Sequence, residues 1–260
     1  MAKLALIGTA RATSEGGVEV VRGEGRAGLL VICEHAGNVF PPAFGNLGLG
    51  PETINSHAAY DPGAYTMARA VATAFDATLI AQHTSRLLYD CNRPPDAESA
   101  ICAVSEVHNI PGNTDLSVGE RMDRVTSVYE PFRDAVAREV AHARAIVTIH
   151  TFTPVYRGER RDVEIGVVHD SDAHLADAFF QVAAGSGFDM RRNEPYGPAD
   201  GVTHTLRTHA TPAGLPNVMI EVRNDLVATE DAQQTMAGHL IRWLRQGLVA
   251  LGASGGAAHA

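Results

Sequence analysis

The chain has 260 residues, which is long enough for one α/β domain with a sizeable core, and 45% of them are hydrophobic and 20% charged. The formal net charge is −9 and no run of lysine and arginine occurs, so we expect no nucleic-acid partner. No apolar stretch reaches the roughly 18 residues that cross a membrane, and no signal-peptide core precedes the first predicted strand. We therefore expect a cytoplasmic protein with no membrane association.

In the first half of the chain, short apolar runs alternate with a helical pattern. The elements expected are an irregular lead-in (1–16), an edge strand (18–21), a buried strand (28–32), a helix (61–75) and a second buried strand (77–81). Asp61 and Pro62 form a favoured start pair for that helix, with Asp61 as its N-cap. A glycine pattern at 23–28 matches the dinucleotide fingerprint, but a strand follows it where a helix is required, so no nucleotide cofactor is expected.

The second half continues the alternation, which favours an α/β fold with a mostly parallel sheet. The elements expected are a helix (119–144) that Pro131 kinks or splits, strands (145–149, 163–168 and 217–220), helices (173–184 and 229–251), a loop (185–215) and a disordered tail (252–260). One domain over 1–251 follows. The arginine-rich loop 157–161 is interpreted as a solvated charge cluster.

Three apolar strands each end in a residue that can bind a metal or transfer a proton. Glu34 and His35 follow the first buried strand, His150 ends another, and Glu221 follows the strand at 217–220. Ligands of open α/β sheets bind beyond the carboxyl ends of such strands. The sequence therefore predicts a metal or acid–base site at this edge of the sheet.

Zinc in catalytic sites takes three protein ligands, which His35, His150 and one carboxylate would supply. The carboxylate would be Asp61 or, as the alternative, Glu34. Side chains alternate along a strand, so Glu34 and His35 would tend to point apart, which favours Asp61.

A buried carboxylate has a raised pKa, which suits Glu221 to act as a general acid or base near neutrality. An acidic protein that binds an anion needs a local arginine cluster, for which Arg86, Asn92, Arg93 and Arg223 are candidates. The motifs of serine hydrolases, P-loop proteins and HExxH metalloproteases are absent from the sequence. Cys33, inside a buried strand, is expected to behave as an apolar residue.

Together these segments resemble the N-formylglutamate amidohydrolase family over roughly residues 28 to 245. The matching motifs are VICEHAG at 31–37, YDPGA at 60–64, SR at 85–86 with DCNRP at 90–94, TIHTFTP at 148–154, NEPY at 193–196 and IEVRNDL at 220–226. The resemblance implies a single-domain three-layer α/β sandwich with a mixed, mainly parallel sheet, related to zinc carboxypeptidases and aminoacylase-type deacylases (a phosphorylase/hydrolase-like fold).

The resemblance also implies roles for individual residues. His35, Asp61 and His150 would hold Zn²⁺ or another divalent metal, and Glu221 would be the catalytic glutamate. We further predict that Arg86 or Arg223 stabilises an oxyanion. The predicted substrate is a small anionic N-acyl amino acid, with N-formylglutamate as the leading candidate. Asn92 and Arg93 match the family's pair that binds the substrate carboxylate, and Tyr196 and His209 are further candidates for substrate binding.

Two departures from the family pattern leave the substrate open. Many relatives have Asp before the second metal histidine, where this chain has Ile149 preceded by Thr148, and Arg133 stands where relatives often have His. A missing carboxylate beside a ligand histidine would weaken the metal site. The alternatives are another N-acyl amino acid deacylase, a carboxypeptidase-like hydrolase, or a metal-free binding or regulatory protein on the same fold. The sequence leaves the oligomeric state open.

Overall fold

The computed structural model describes residues 16–24 and 28–255. Within these ranges the strands are β1 (Val18–Val21), β2 (Leu29–Cys33), β3 (Thr78–Gln82), β4 (Val104–Ser105), β5 (His108–Asn109), β6 (Ala145–Phe152), β7 (Val155–Tyr156), β8 (Glu159–Arg160), β9 (Ile165–Val168), β10 (Met190–Arg192) and β11 (Asn217–Arg223). The α-helices of the same ranges are α1 (Pro51–Ile54), α2 (Ala64–Phe75), α3 (Val118–Arg124), α4 (Glu130–Val140), α5 (His174–Ala183) and α6 (Glu230–Gly255).

Seven of the described strands form one sheet in the order β1-β3-β2-β6-β11-β9-β10. The four central strands β3, β2, β6 and β11 are parallel. Strand β1 pairs antiparallel with β3, β9 pairs antiparallel with β11, and β10 runs parallel to β9. The remaining strands form two small hairpins, β4-β5 and β7-β8. The predicted mixed, mainly parallel sheet is confirmed.

The sheet lies between two hydrophobic layers, because alternate side chains of each strand face opposite sides. Leu29, Val31 and Cys33 of β2 pack with apolar residues of α2, α5 and α6. Leu30 and Ile32 pack on the other side with residues of α4 and the preceding turn. The result is the expected three-layer α/β domain.

Several predicted boundaries are corrected by the structure. The helix expected at 119–144 is divided by a π-helical turn, Val125–Tyr129, just before Pro131, whose ring cannot follow a regular helical turn. The loop expected at 185–215 contains the edge strand β10. Helix α6 continues to Gly255, beyond the predicted start of the tail, and the rest of that tail and most of the lead-in lie outside the described residues.

None of the helices in the described ranges is both long and apolar enough to cross a membrane.

Candidate metal centre and active site

Three central strands deliver the candidate site residues to one edge of the sheet. Glu34 and His35 come directly after β2, while His150 and Glu221 lie inside β6 and β11, because both strands continue beyond the predicted ends. His150 and Glu221 are partners in the β6–β11 register. Since these strands are parallel, their carboxyl ends meet at the same edge, as the sequence predicted.

Asp61 completes a compact cluster with the two histidines. Its backbone N–H donates to the carbonyl of His35 at 3.0 Å, which holds the loop against the end of β2. Its Oδ2 lies 3.2 Å from His35 Nδ1 and 2.9 Å from His150 Nδ1. One potential ligand atom from each of the three buried residues lies within 4.8 Å of the others.

The predicted N-cap role of Asp61 is wrong. Helix α2 begins at Ala64, and its N-cap is Gly63 in the left-handed region at φ 85° with no capping side chain. A side chain at Gly63 would be strained there, so glycine suits the turn into α2. The Asp61 carboxylate contacts the imidazoles instead.

Two further carboxylates contact the outer side of the imidazole rings. His35 Nε2 lies 2.8 Å from Asp90 Oδ1, and His150 Nε2 lies 3.0 Å from Glu34 Oε2. The second contact has the distance of an ion pair but not the alignment of a hydrogen bond. Each ring therefore turns Nδ1 toward Asp61 and Nε2 toward an outer carboxylate. Such outer partners fix the tautomer and orientation of ligand histidines.

This arrangement bears on the choice between Asp61 and Glu34 as third ligand. Glu34 faces the outer nitrogen of His150, whereas Asp61 faces the inner nitrogens of both rings. Strand β2 ends at Cys33 and both Glu34 and His35 belong to the turn after it, so the alternation of side chains along a strand does not separate them.

Arg86 links the inner and outer carboxylates. Its guanidinium lies 3.3 Å from Asp61 Oδ1 and 2.8 Å from Asp90 Oδ2. Its backbone N–H is held by the carbonyl of Ala59. The guanidinium thus fixes both carboxylates while still lining the cavity described below.

The buried charges of the cluster require a positive partner. Burial acts to raise the pKa of the Glu34, Asp61 and Asp90 carboxyls, but the facing imidazoles, with Arg86 beside the two aspartates, hold all three below their ordinary values. Burial likewise opposes protonation of the rings, yet the surrounding carboxylates raise the pKa of both His35 and His150. The excess of carboxylates over guanidinium must be balanced by imidazole protons or by a bound cation.

The donor set of the cluster fits a zinc ion. Two imidazole nitrogens and one carboxylate oxygen are ligands that Zn²⁺ takes in catalytic sites with an open fourth position. The inner nitrogens must be unprotonated to bind a metal, and a cation would then replace the protons that the carboxylates otherwise draw onto the rings.

Glu221 lies beside this cluster and is buried, with 5% of its surface exposed. Burial, helped by the charge of Asp61 and opposed by His150 and Arg86, raises the pKa of its carboxyl to about 7. The neighbouring strand leaves room for it only because residue 166 is glycine. A Cβ there would lie 2.2 Å from the carbonyl oxygen of Glu194 and 3.1 Å from Glu221 Cβ.

A cavity of about 470 Å³ opens onto the cluster. Its lining includes eight of the residues singled out in the sequence: His35, Asp61, Arg86, Asn92, Arg93, His150, Tyr196 and Glu221. Among the described residues, the candidates Glu34, His209 and Arg223 do not line it. The structure thus brings most of the predicted site residues together around one opening.

Asn92 and Arg93 enter the lining from the segment after Asp90. The Asn92 side chain donates to the carbonyl of Val202 and accepts from the N–H of Thr205 at 3.0 Å. Arg93 Nη1 donates to the carbonyls of Asn92 and Gly201 at 2.9 and 3.0 Å. The Asn92 amide is therefore engaged with the backbone, while within the described part of the chain the remaining donors of Arg93 stay available to a ligand.

The remaining two candidates point elsewhere. The Arg223 guanidinium donates to the carbonyls of the segment 161–163 and contacts Asp225 at 2.8 Å. His209 lies in the π-helical turn Leu206–Ala210, where burial and the neighbouring His204 lower its pKa to about 4.

Sequence reasoning missed two features of the site. Asp90 belongs to the DCNRP motif, but its contact with His35 depends on a long-range approach that the motif does not encode. Arg161, assigned to a solvated cluster, lines the cavity between aromatic rings. The aromatic residues Phe152 and Tyr156, close to Arg161 in sequence, could have indicated that this arginine packs against rings.

Comparisons with known proteins agree with this fold and motif set. The sequence profile of the N-formylglutamate amidohydrolase family matches residues 27–228. A gene product of Agrobacterium tumefaciens with a crystal structure is 48% identical, with a TM-score of 0.88 over 90% of this chain and 96% of that one. The crystal structure of N-formylglutamate amidohydrolase from Ralstonia eutropha JMP134 shares the fold at 18% identity, with a TM-score of 0.65 over 88% of this chain and 97% of that one. No curated protein sequence matches the chain. With most of its length matched by the profile, the chain belongs to the N-formylglutamate amidohydrolase family.

Proposed function

We propose that this protein is a zinc-dependent amidohydrolase that removes a small acyl group from an N-acyl amino acid, with N-formylglutamate as the leading substrate. The observation that carries the proposal is the convergence of His35, Asp61 and His150 at the cavity with Glu221 beside them. Membership of the N-formylglutamate amidohydrolase family supports both amide hydrolysis and N-formylglutamate as the leading substrate.

His35 and His150 Nδ1 with Asp61 Oδ2 would hold the metal, which Asp90 and Glu34 support from the outer side of the rings. When bound, Zn²⁺ polarises the acyl carbonyl and lowers the pKa of a coordinated water to about 7. The Thr148-Ile149 segment has no carboxylate to orient His150, and Glu34, which contacts His150 Nε2, would take that role.

Glu221 would transfer the protons of the reaction. A carboxyl with a pKa of about 7 accepts a proton from the attacking water and can return it to the leaving nitrogen near neutral pH. The breaking C–N bond then releases a neutral amine rather than an amide anion. Arg86, which lines the cavity beside Asp61, would stabilise the negative charge that develops on the acyl oxygen.

The arginine donors of the cavity would orient the substrate. Arg93 would bind one carboxylate of the N-acyl amino acid, with Asn92 holding the backbone around Val202 and Thr205 that borders the opening. Tyr196 would form part of the wall. Arg223 would act indirectly, by holding the backbone of segment 161–163.

The test combines metal content with turnover. Purified protein is expected to bind about one zinc per chain and to lose it in His35→Ala and His150→Ala, whereas His174→Ala, an exposed histidine paired with Asp172, keeps it. Glu221→Gln is expected to keep the metal and to lose turnover by about 10²- to 10⁴-fold, the usual contribution of general acid–base catalysis.

The substrate class is tested by turnover of formyl, acetyl and succinyl amino acids. Preference for the formyl series supports the leading candidate, and preference for another series supports a different deacylase. Protein that takes up no zinc after reconstitution and hydrolyses none of them would refute the proposal and favour a binding protein on the same fold.

A further inference from the structure

Two arginines of the cavity lining have no carboxylate partner among the described residues. Arg86 is paired with Asp61 and Asp90. In contrast, no carboxylate oxygen of the described residues lies within 4.0 Å of Arg93 or Arg161. Both guanidinium groups line the same cavity of about 470 Å³, which is large enough for a small N-acyl amino acid.

Arg161 is surrounded by aromatic rings instead of acids. Its Cζ lies 4.5 Å from the ring centre of Tyr156, 4.7 Å from that of Tyr196 and 5.7 Å from that of Phe152. All three rings also line the cavity. Ring faces stabilise a cation without occupying its in-plane N–H donors. Arg161 Nη1 donates to the carbonyl of Thr153 at 3.4 Å, and no other side-chain hydrogen bond from Arg161 occurs within the described residues, so its other N–H groups can bind a planar carboxylate.

Hydrogen bonds hold the backbone that carries Arg161. Arg223 Nη1 donates to the carbonyls of Arg161, Asp162 and Val163 at 3.2, 2.8 and 3.4 Å. The N–H of Arg161 donates to the carbonyl of Pro154 at 2.8 Å. A guanidinium held in this way loses little conformational freedom when it binds an anion, which favours specific recognition.

We propose that Arg161 forms a second carboxylate subsite, so that Arg93 and Arg161 each bind one carboxylate of a substrate derived from a dicarboxylic amino acid. This inference rests on the proposed function and assigns Arg161 to recognition of the second carboxylate of its leading substrate, since an N-acyl derivative of a monocarboxylic amino acid would leave one of the two arginines unpaired. Arg223 is a positioning residue that acts through the backbone of Arg161.

The test measures ligand binding in the zinc-loaded Glu221→Gln protein, in which turnover is expected to be slowed by about 10²- to 10⁴-fold. Calorimetric titration compares N-acetylglutamate with its side-chain amide and with its α-amide. We expect N-acetylglutamate to bind about 10- to 100-fold more tightly than either amide, which is the range for hydrogen bonds to a charged partner. Adding Arg161→Gln is expected to remove the discrimination against one amide and to keep it against the other.

Three further variants sharpen the result. Arg93→Gln should show the opposite pattern, losing discrimination at the other carboxylate. Arg160→Gln is the matched control, because Arg160 precedes Arg161 on the same hairpin but is 79% exposed, pairs with Asp162 and does not line the cavity. Arg161→Lys, which keeps the charge without the planar group, should retain part of the discrimination and serves if the glutamine variant is unstable.

The subsite is refuted if Arg161→Gln weakens all three ligands equally or leaves both discriminations unchanged, or if the parent protein does not prefer the dicarboxylate. Failure of the proposed function gives a different pattern. In that case the binding preferences and their dependence on Arg161 persist, while protein with Glu221 intact hydrolyses none of the acyl amino acids.

Discussion

Replacing Glu221 with glutamine in the metal-free protein tests whether this carboxyl is buried at an energetic cost. Glutamine preserves the size and shape of the side chain but cannot ionise. The carboxyl has a pKa of about 7 in the folded protein and 4.5 in an unperturbed setting, and burial is the largest cause of the difference. Ionisation of Glu221 should therefore destabilise the folded state.

The sign and size follow from linkage between proton binding and folding. Below pH 4.5 the Glu221 carboxyl is protonated in both the folded and the unfolded state, so it does not lower the free energy of unfolding. As the pH rises from 4.5 through 7 the unfolded chain ionises first, so the stability falls, and above pH 7 the loss is complete. The difference between about 7 and 4.5, at 1.36 kcal/mol per pKa unit, corresponds to a loss of about 3 kcal/mol.

The assay is urea unfolding of chelator-treated wild type and Glu221→Gln from pH 4.5 to 8.5. The free energy of unfolding of the variant minus that of the wild type should rise by about 3 kcal/mol across this range. Glu52→Gln, at an exposed position of α1, controls for removing one negative charge from a protein of net charge −9. Parallel pH profiles for wild type and Glu221→Gln would show that Glu221 is not ionised at a cost, and would remove the basis for its role as general base.

The remaining predictions concern the supports of the site. Asp90→Asn and Glu34→Gln should each weaken zinc binding by about 10- to 100-fold, since both contact the outer nitrogens of ligand histidines, whereas the exposed Asp96→Asn should not. Unchanged zinc affinity in both variants, measured by chelator competition, would contradict the orienting role. Gly166→Ala should destabilise the protein by about 1 to 3 kcal/mol in urea unfolding, because its Cβ would overlap the Glu194 carbonyl, and an unaltered midpoint would contradict the close approach.

The sheet and its edge could be predicted from the sequence because short apolar runs identify buried strands whatever their partners. The ends of the strands were harder to predict from the sequence. His150 and Glu221 were placed after their strands, yet β6 and β11 continue to Phe152 and Arg223. Polar residues at the end of a strand interrupt the apolar pattern without interrupting the backbone pairing, so the pattern locates the site but not the last residue of the strand.

Local rules failed where distant residues compete for the same side chain. The Asp61-Pro62 pair is typical of a helix start, but two imidazoles from other strands engage the carboxylate, and Gly63 makes the turn. The aromatic surroundings of Arg161 include Tyr196, which is far along the chain. A window of sequence that contains mostly charged residues indicates a solvated loop, and only the folded chain brings the ring of Tyr196 to it.

The same competition explains how an acidic protein can attract an anion. Glu34, Asp61 and Asp90 direct their oxygens toward imidazoles and Arg86, so their charge is largely neutralised before a substrate approaches. Arg93 and Arg161 are not neutralised by acids of the described chain, and they face the opening. Because charges act most strongly over short distances in a partly desolvated cleft, these two groups outweigh the distributed net charge of −9. The proposed function requires a cation at the base of the cavity and an anion along its wall, and this distribution of charges accommodates both.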